Sequence, residues 1–101
     1  MKMLLDVTFP HEPFNSLVRK GLAGKKIGQV MESIKPEAAY FSERDGKRGV
    51  VMIVDVAESS KVPAIAEPLF LTFEADVKFR IVMSPEDLKQ AGLDALGKKW
   101  A

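Results

Sequence analysis

The 101-residue sequence contains no cysteine, and it has only one histidine, one tryptophan and one tyrosine. Without cysteine the chain can form no disulfide, no thiolate nucleophile and no cysteine-ligated metal site. No apolar run approaches the roughly 20 residues that a membrane-spanning helix needs. The first residues also lack the long apolar core and the cleavage site of a secretory signal peptide. We therefore expect a cytoplasmic protein that enters no membrane.

Acidic and basic residues nearly cancel, because 15 Lys and Arg stand against 14 Asp and Glu for a net charge of +1. Such a balance provides no general attraction to nucleic acid or to an anionic membrane surface, so we expect neither as a partner. Apolar residues make up 47% of the chain, which is enough for one core. Length and composition together predict a single domain over residues 1–101.

The strongest local signal is the dipeptide Asp45-Gly46, which lies between two runs of strand-forming residues. A type I′ hairpin turn needs a positive φ at both central residues, and Asp-Gly is a favoured pair for this turn. We expect strands near 37–43 and 48–56, with an ion pair between Glu43 and Arg48. A two-residue turn also sets the register of the hairpin, with the pairs Glu43–Arg48, Phe41–Val50 and Tyr40–Val51.

Residues 14–35 show helical spacing in two pieces whose apolar faces are offset. The offset lies where glycines accumulate, and glycine weakens a helix, so we expect a break near Ala23-Gly24. A phosphate site would need a glycine-rich loop directly after a strand, and this segment has none. We therefore interpret its four clustered cations as a solvated helix face: Arg19, Lys20, Lys25 and Lys26.

Two further helices are expected in the second half of the chain. The first follows Ser59 or Ser60, whose hydroxyl can cap it. Pro68 should kink or end this helix near Glu67, because proline cannot donate a backbone hydrogen bond. The last helix starts at Ser84-Pro85-Glu86-Asp87, which places a capping hydroxyl, a proline and two acids at the positive end of the helix dipole.

Apolar and polar residues alternate over residues 1–9 and 75–83, which predicts two more strands. The resulting order is the βαββαβ pattern of an α+β, ferredoxin-like fold with a four-stranded antiparallel sheet in the order 4-1-3-2, followed by a C-terminal helix. Helices cover one face of such a sheet. The uncovered face, which we call the open face, would carry four apolar side chains: Leu4, Tyr40, Val51 and Ile53. Because such a patch is costly to leave in water, we expect a homodimer or larger homo-oligomer.

Three segments resemble muconolactone isomerases. Asp6-Val7-Thr8-Phe9-Pro10-His11-Glu12-Pro13 is similar to the first strand and the following loop of these enzymes. Asp55-Val56-Ala57-Glu58-Ser59, followed by Pro68-Leu69-Phe70, is similar to their third strand, second helix and its end. The resemblance implies the dimeric α+β barrel superfamily, in which two ferredoxin-like protomers bring their sheets together. It also implies cofactor-independent chemistry on a small organic acid in an oligomer.

His11 is the candidate catalytic residue, because an imidazole can accept and return a proton near neutral pH, as a double-bond shift in a lactone requires. We expect Glu12 to raise its basicity, and an apolar cleft between the sheet and the helix of Pro68-Leu69-Phe70. The alternative is an ordinary surface histidine. A metal site would need more ligands than this loop provides.

A second cluster, of substrate-binding residues, is expected on the open face: Asp6, Tyr40, Lys78 and Arg80. Asp6 should reach Lys78 or Arg80, because the first and last strands are antiparallel neighbours. The alternative is a ladder of ion pairs worth about 0.2–1 kcal/mol each. Two classes of function remain open: a small cofactor-free enzyme (an isomerase or an oxygenase) and a non-catalytic oligomeric module that binds a small metabolite or nothing. A closed cavity touching His11 or Arg80 would favour the enzyme, and a solid sheet-to-sheet interface would favour the module.

Overall fold

The computed structural model describes all 101 residues. Its four strands form one antiparallel sheet in the order β2-β3-β1-β4, which is the order 4-1-3-2 counted from the other edge. The chain therefore has the predicted α+β, ferredoxin-like fold. None of its helices has the length and apolar character needed to cross a membrane. The elements are β1 (Lys2–Phe9), α1 (His11–Arg19), α2 (Ala23–Ile34), β2 (Ala38–Arg44), β3 (Lys47–Asp55), α3 (Val62–Phe73), β4 (Asp76–Ile81), α4 (Pro85–Gln90) and α5 (Leu93–Lys99).

The hairpin between β2 and β3 has the predicted turn and register. Asp45 and Gly46 both have positive φ, at 52° and 78°, and all three expected residue pairs face each other. The expected ion pair between Glu43 and Arg48 is wrong. The Glu43 carboxylate instead accepts a hydrogen bond from the backbone N–H of Gly46 at 2.7 Å, while Arg48 turns to Asn15.

The core lies between the sheet and helices α1 to α3. Alternation along β1 buries one complete face, formed by Met3, Leu5, Val7 and Phe9. Phe9, Phe14 and Phe73 form an aromatic cluster with ring centroids 5.1–5.4 Å apart. Burying a side chain of this size stabilises the fold by about 1.5–3 kcal/mol. The cluster joins β1, α1 and α3, and so fixes the start of α1 against the end of β1.

The predicted break in the first helical region is present directly before Ala23-Gly24, and the residue that makes it is Gly21. Gly21 has a φ of 72°, and Leu22 N–H donates to the Leu17 carbonyl at 2.8 Å. This is the hydrogen-bond pattern of a helix that ends on a left-handed residue, where glycine has no steric penalty. Gly24 lies inside α2. The position of the break is therefore set by the left-handed conformation of Gly21 and not by the local number of glycines.

Helix α3 continues through Pro68 to Phe73, so it does not end near Glu67, which was one of the two outcomes predicted for Pro68. Pro68 has no N–H and so costs the helix one hydrogen bond. Burial of Ala66 before it, and of Leu69 and Phe73 after it, offsets this cost. The predicted serine cap is wrong: Ser59 and Ser60 lie in a short 3-10 turn before α3, and neither side chain caps the helix.

Residues 82–101 form an extension that we call the arm. The predicted start is confirmed, since the Ser84 hydroxyl accepts from Asp87 N–H at 3.1 Å and the Asp87 carboxylate accepts from Ser84 N–H at 3.0 Å. Gly92, with a φ of 70°, divides the expected single helix into α4 and α5. Every residue from 85 to 101 is exposed.

Candidate functional site

A cleft of about 540 Å³ opens on the helix-covered side of the sheet, at the end where the hairpin turn lies. We call it the hairpin cleft. Its position follows from the register, because Phe9 at the end of β1 faces Arg48 near the start of β3. The cleft is lined by Phe9, His11, Phe14, Phe41, Ser42, Glu43, Gly46, Lys47, Arg48 and Gly49.

Aromatic rings form the floor and one wall of the hairpin cleft. Phe9 and Phe14 are buried, and Phe73 of α3 packs behind both rings. Phe41 is 54% exposed although it lies on the helix-facing side of β2, and it lines the cleft. Flat apolar surfaces of this kind fit an unsaturated or aromatic ring.

Arg48 supplies a positive charge that is held in place at the cleft. Its guanidinium lies 4.6 Å from the centroid of the Phe14 ring, and Nη1 donates to Asn15 Oδ1 at 2.8 Å. A guanidinium has five N–H donors, so donors remain for the carboxylate of a ligand. Sequence reasoning missed this role because it assigned Arg48 to Glu43. The available signal was that Phe41 and Arg48 share one face of the predicted hairpin.

His11 lies exposed at the rim of the hairpin cleft, before the regular part of α1, because the next residue, Glu12, has an extended backbone with φ −112° and ψ 139°. The Glu12 side chain does not hydrogen-bond to the His11 imidazole. The Glu12 carboxylate accepts hydrogen bonds from the Ser16 hydroxyl at 2.6 Å and from Ser16 N–H at 3.2 Å, and lies 3.5 Å from Arg19. The Ser16 hydroxyl is the largest cause that holds the pKa of Glu12 below its ordinary value. The expected pairing of Glu12 with His11 is therefore wrong, because the Glu12 carboxylate accepts its hydrogen bonds from Ser16 in the first turn of α1.

The cleft lies elsewhere than predicted. Pro68, Leu69 and Phe70 do not line it. The space expected between the sheet and α3 is filled, because Leu69 is fully buried and Phe73 packs against the rings of the cleft floor. The cleft is bounded instead by the hairpin and the start of α1.

On the open face, four residues stand in one row across the sheet. Tyr40, Val51, Asp6 and Lys78 face one another on neighbouring strands, and Arg80 lies in the next row, opposite Leu4. Since neighbouring strands are about 4.8 Å apart, Tyr40 and Lys78 are separated by about 14 Å. Asp6 and Lys78 are neighbours as expected, while Val51 separates Tyr40 from both.

The Asp6 carboxylate pairs with Arg44, not with Lys78 or Arg80 as predicted. Arg44 Nε donates to Asp6 Oδ1 at 3.1 Å, and the Asp6 side chain retains only 13% exposure. Arg44 reaches across β3 at Gly49, where no side chain stands in the way. A polar hollow of about 270 Å³ surrounds this pair and includes Lys78, but neither Tyr40 nor Arg80 lines it. The four expected substrate-binding residues thus do not share one cavity.

The chemistry available at the hairpin cleft is that of organic side chains. His11 can transfer a proton, Arg48 and Lys47 can bind an anion, and the phenylalanines can bind a ring. No group of three or more His, Asp or Glu side chains is placed to hold a metal ion.

No family model matches this chain, and no curated protein matches it. Among solved structures the chain is similar to the de novo designed protein Ferredog-Diesel, with 15% sequence identity and a TM-score of 0.48. The match covers 80% of this chain and 85% of that protein. A likeness at this level carries no functional information, and the fold assignment rests on strand order and register.

Proposed function

We propose that this chain is a small cofactor-independent enzyme of the dimeric α+β barrel type that isomerises a lactone or a similar unsaturated organic acid by proton transfer. The observation that supports the proposal is the position of the only histidine. His11 lies at the rim of a cleft whose floor is aromatic and whose wall carries Arg48. Such a reaction needs an apolar surface that binds the substrate ring, a cation that binds its carboxylate and a side chain that transfers a proton.

In the proposed complex the ring of the substrate lies against Phe41, which is the exposed ring of the cleft, above the buried Phe9 and Phe14. The substrate carboxylate binds Arg48, whose charge is oriented by Asn15. A charge-assisted hydrogen bond of this kind is shorter and stronger than a neutral one. Binding of both the ring and the carboxylate fixes the orientation of the substrate. The substrate carbon that is adjacent to the carbonyl group then lies near the imidazole of His11.

The reaction requires one proton and no external reactant. Neutral His11 takes a proton from the carbon next to the carbonyl, and the electron pair of that C–H bond forms a new C=C bond. The electron pair of the original C=C bond then takes the proton back from the imidazolium, at the carbon of that bond that lies farther from the carbonyl. Positioned acid–base catalysis of this kind contributes about 10²–10⁴ in rate.

The proposal includes a homodimer formed through the open face. Tyr40 is 74% exposed there, and it lies beside Val51, Leu4 and Ile53. The charges of Lys78 and Arg80 on the same face would need partners across the interface, because an uncompensated buried charge is strongly destabilising. The hairpin cleft lies on the other side of the sheet, so pairing leaves it accessible.

The test is the turnover of a panel of unsaturated lactones, followed by absorbance, with wild-type protein and His11→Ala. We expect the rate to fall about 10²–10⁴-fold in the variant. The melting temperature should remain nearly unchanged, because His11 is exposed and makes no core contact. Wild-type protein that turns over none of the lactones would contradict the proposed reaction.

Two arginine variants locate the ligand. Arg48→Gln should raise KM at least tenfold, while Arg80→Gln on the open face should leave KM unchanged. The reverse result would place the ligand on the open face and overturn the assignment to the hairpin cleft. Ligand binding that depends on Arg48 but gives no turnover, with or without His11, would favour the alternative of a non-catalytic metabolite-binding module.

A further inference from the structure

We infer that the arm packs on a second copy of this chain and completes the dimer interface that begins on the open face. The inference rests on the homodimer proposed above and is independent of the proposed reaction. The arm carries five large apolar side chains that contact no core: Met83, Leu88, Leu93, Leu96 and Trp100.

The arm extends away from the rest of the molecule. The radius of gyration is 17.1 Å and the longest dimension is 60 Å, whereas a compact domain of about 100 residues has a radius of gyration of about 13 Å. An eight-residue strand such as β1 spans only about 27 Å. None of the extensive packing contacts between elements involves α4 or α5.

Helices as short as α4 and α5 need a surface to pack on. They contain six and seven residues, and isolated helices shorter than about 12–15 residues are marginal in water. Residues 2–81 provide no such surface in the protomer, since every arm residue from 85 onward is exposed. The stabilising surface must therefore come from another molecule.

Surface area identifies that molecule as a second copy. A stable dimer buries about 800 Å² per partner, and a little over half of this area is apolar. From their fractional exposures the apolar side chains of the open face offer roughly 150–300 Å², which is too little alone. The arm offers a further 250–450 Å², roughly, on the same basis. Together the two surfaces reach the required area.

The arm also begins in the right place. Val82 N–H donates to the carbonyl of Lys2 at 3.1 Å, and Lys2 is the first open-face residue of β1. A copy that docks on the open face therefore has the base of the arm at its border. By the two-fold symmetry of such a pair, each copy gives its arm and receives one.

The experiment uses Trp100, which is the only tryptophan of the chain and is 77% exposed in the protomer. Mass by light scattering and tryptophan emission are measured over the same dilution series of the full chain. We expect a dimer at high concentration, with Trp100 emission shifted to the blue and protected from acrylamide quenching. On dilution both signals should change with one midpoint.

Leu96→Glu tests the arm directly, and Leu71→Glu is the matched control. Leu71 is 79% exposed on α3, outside both the arm and the open face. We expect Leu96→Glu to raise the dissociation constant at least tenfold without lowering the melting temperature of the monomer, and Leu71→Glu to leave it unchanged. Val51→Glu, on the open face, should also weaken the dimer.

The other outcomes overturn the inference in distinguishable ways. A dimer that is sensitive to Val51→Glu but keeps Trp100 exposed at every concentration would leave the open-face dimer and remove the arm from it. A monomer with buried Trp100 would show that the arm folds onto its own sheet. A monomer with exposed Trp100 at millimolar concentration would refute the dimer and the role of the arm together.

Discussion

Gly49→Ala is the substitution for which the structure makes the sharpest prediction. Gly49 lies in β3 between Ser42 and Thr8 of its neighbours. An added Cβ would stand 2.9 Å from the carbonyl oxygen of Val7 and 3.0 Å from Cβ of Arg44. Both atoms are fixed by the backbones of adjacent strands, so neither can turn away as the end of a flexible side chain would.

The expected cost follows from two opposing effects. Overpacking of a well-filled site costs about 1–3 kcal/mol, while replacing glycine by alanine recovers about 0.4–1 kcal/mol through the unfolded chain. The net loss in the free energy of unfolding is about 1–2 kcal/mol. Since 1 kcal/mol shifts the melting temperature of a domain this size by about 4–8 °C, the variant should melt about 4–16 °C lower.

The assay is thermal and urea unfolding of Gly49→Ala beside wild-type protein, and Gly28→Ala is the matched control. Gly28 is an exposed residue inside α2, and nothing lies within 4 Å of the position that an added Cβ would take. There the same chemical change should stabilise the protein by about 0.5–1 kcal/mol. A Gly49→Ala variant that melts at or above wild type, while Gly28→Ala behaves as expected, would refute the close approach of Val7, Arg44 and Gly49.

Two further predictions concern the turn and the helix start. Asp45→Pro should lower the free energy of unfolding by more than about 1 kcal/mol, because proline fixes φ near −65° where the turn has 52°; an equal loss in Lys25→Ala would contradict this. Ser16→Ala should destabilise the protein at pH 7 but not near pH 2. Because Ser16 lowers the pKa of Glu12, its stabilising effect is present above the ordinary carboxyl pKa of about 4 and is lost as the pH falls through the lowered value. Melting-temperature differences that do not shrink in acid would contradict the role of Glu12.

Features that depend on neighbours in sequence were predictable. The hairpin register follows from two turn residues, and the start of α4 follows from Ser84 and Asp87, which are three positions apart. The order of elements then defined the fold and the two faces of the sheet. Where several residues could fulfil the same local role, prediction was weaker: Gly21, not Gly24, adopts the left-handed conformation that ends α1.

The hairpin cleft could not be predicted, because it depends on pairings between distant parts of the chain. Phe9 faces Arg48 only through the register of β1 against β3, and Arg48 contacts Asn15, 33 positions away. Arg44 and Asp6 are 38 positions apart. At these distances the alternating pattern specifies the face of a side chain but not its partner, so the nearest opposite charge in the hairpin was the wrong choice for Arg48.

The hairpin cleft and the surfaces assigned to the dimer occupy separate parts of the sheet. The cleft lies on the helix-covered side at the Phe9 end of β1, whereas the arm starts beside Lys2 at the other end. The eight residues of β1 place these ends about 27 Å apart, and the open face is on the opposite side of the sheet. The ligand binding proposed at Arg48 and the association proposed through Leu96 would therefore depend on different side chains within a protomer.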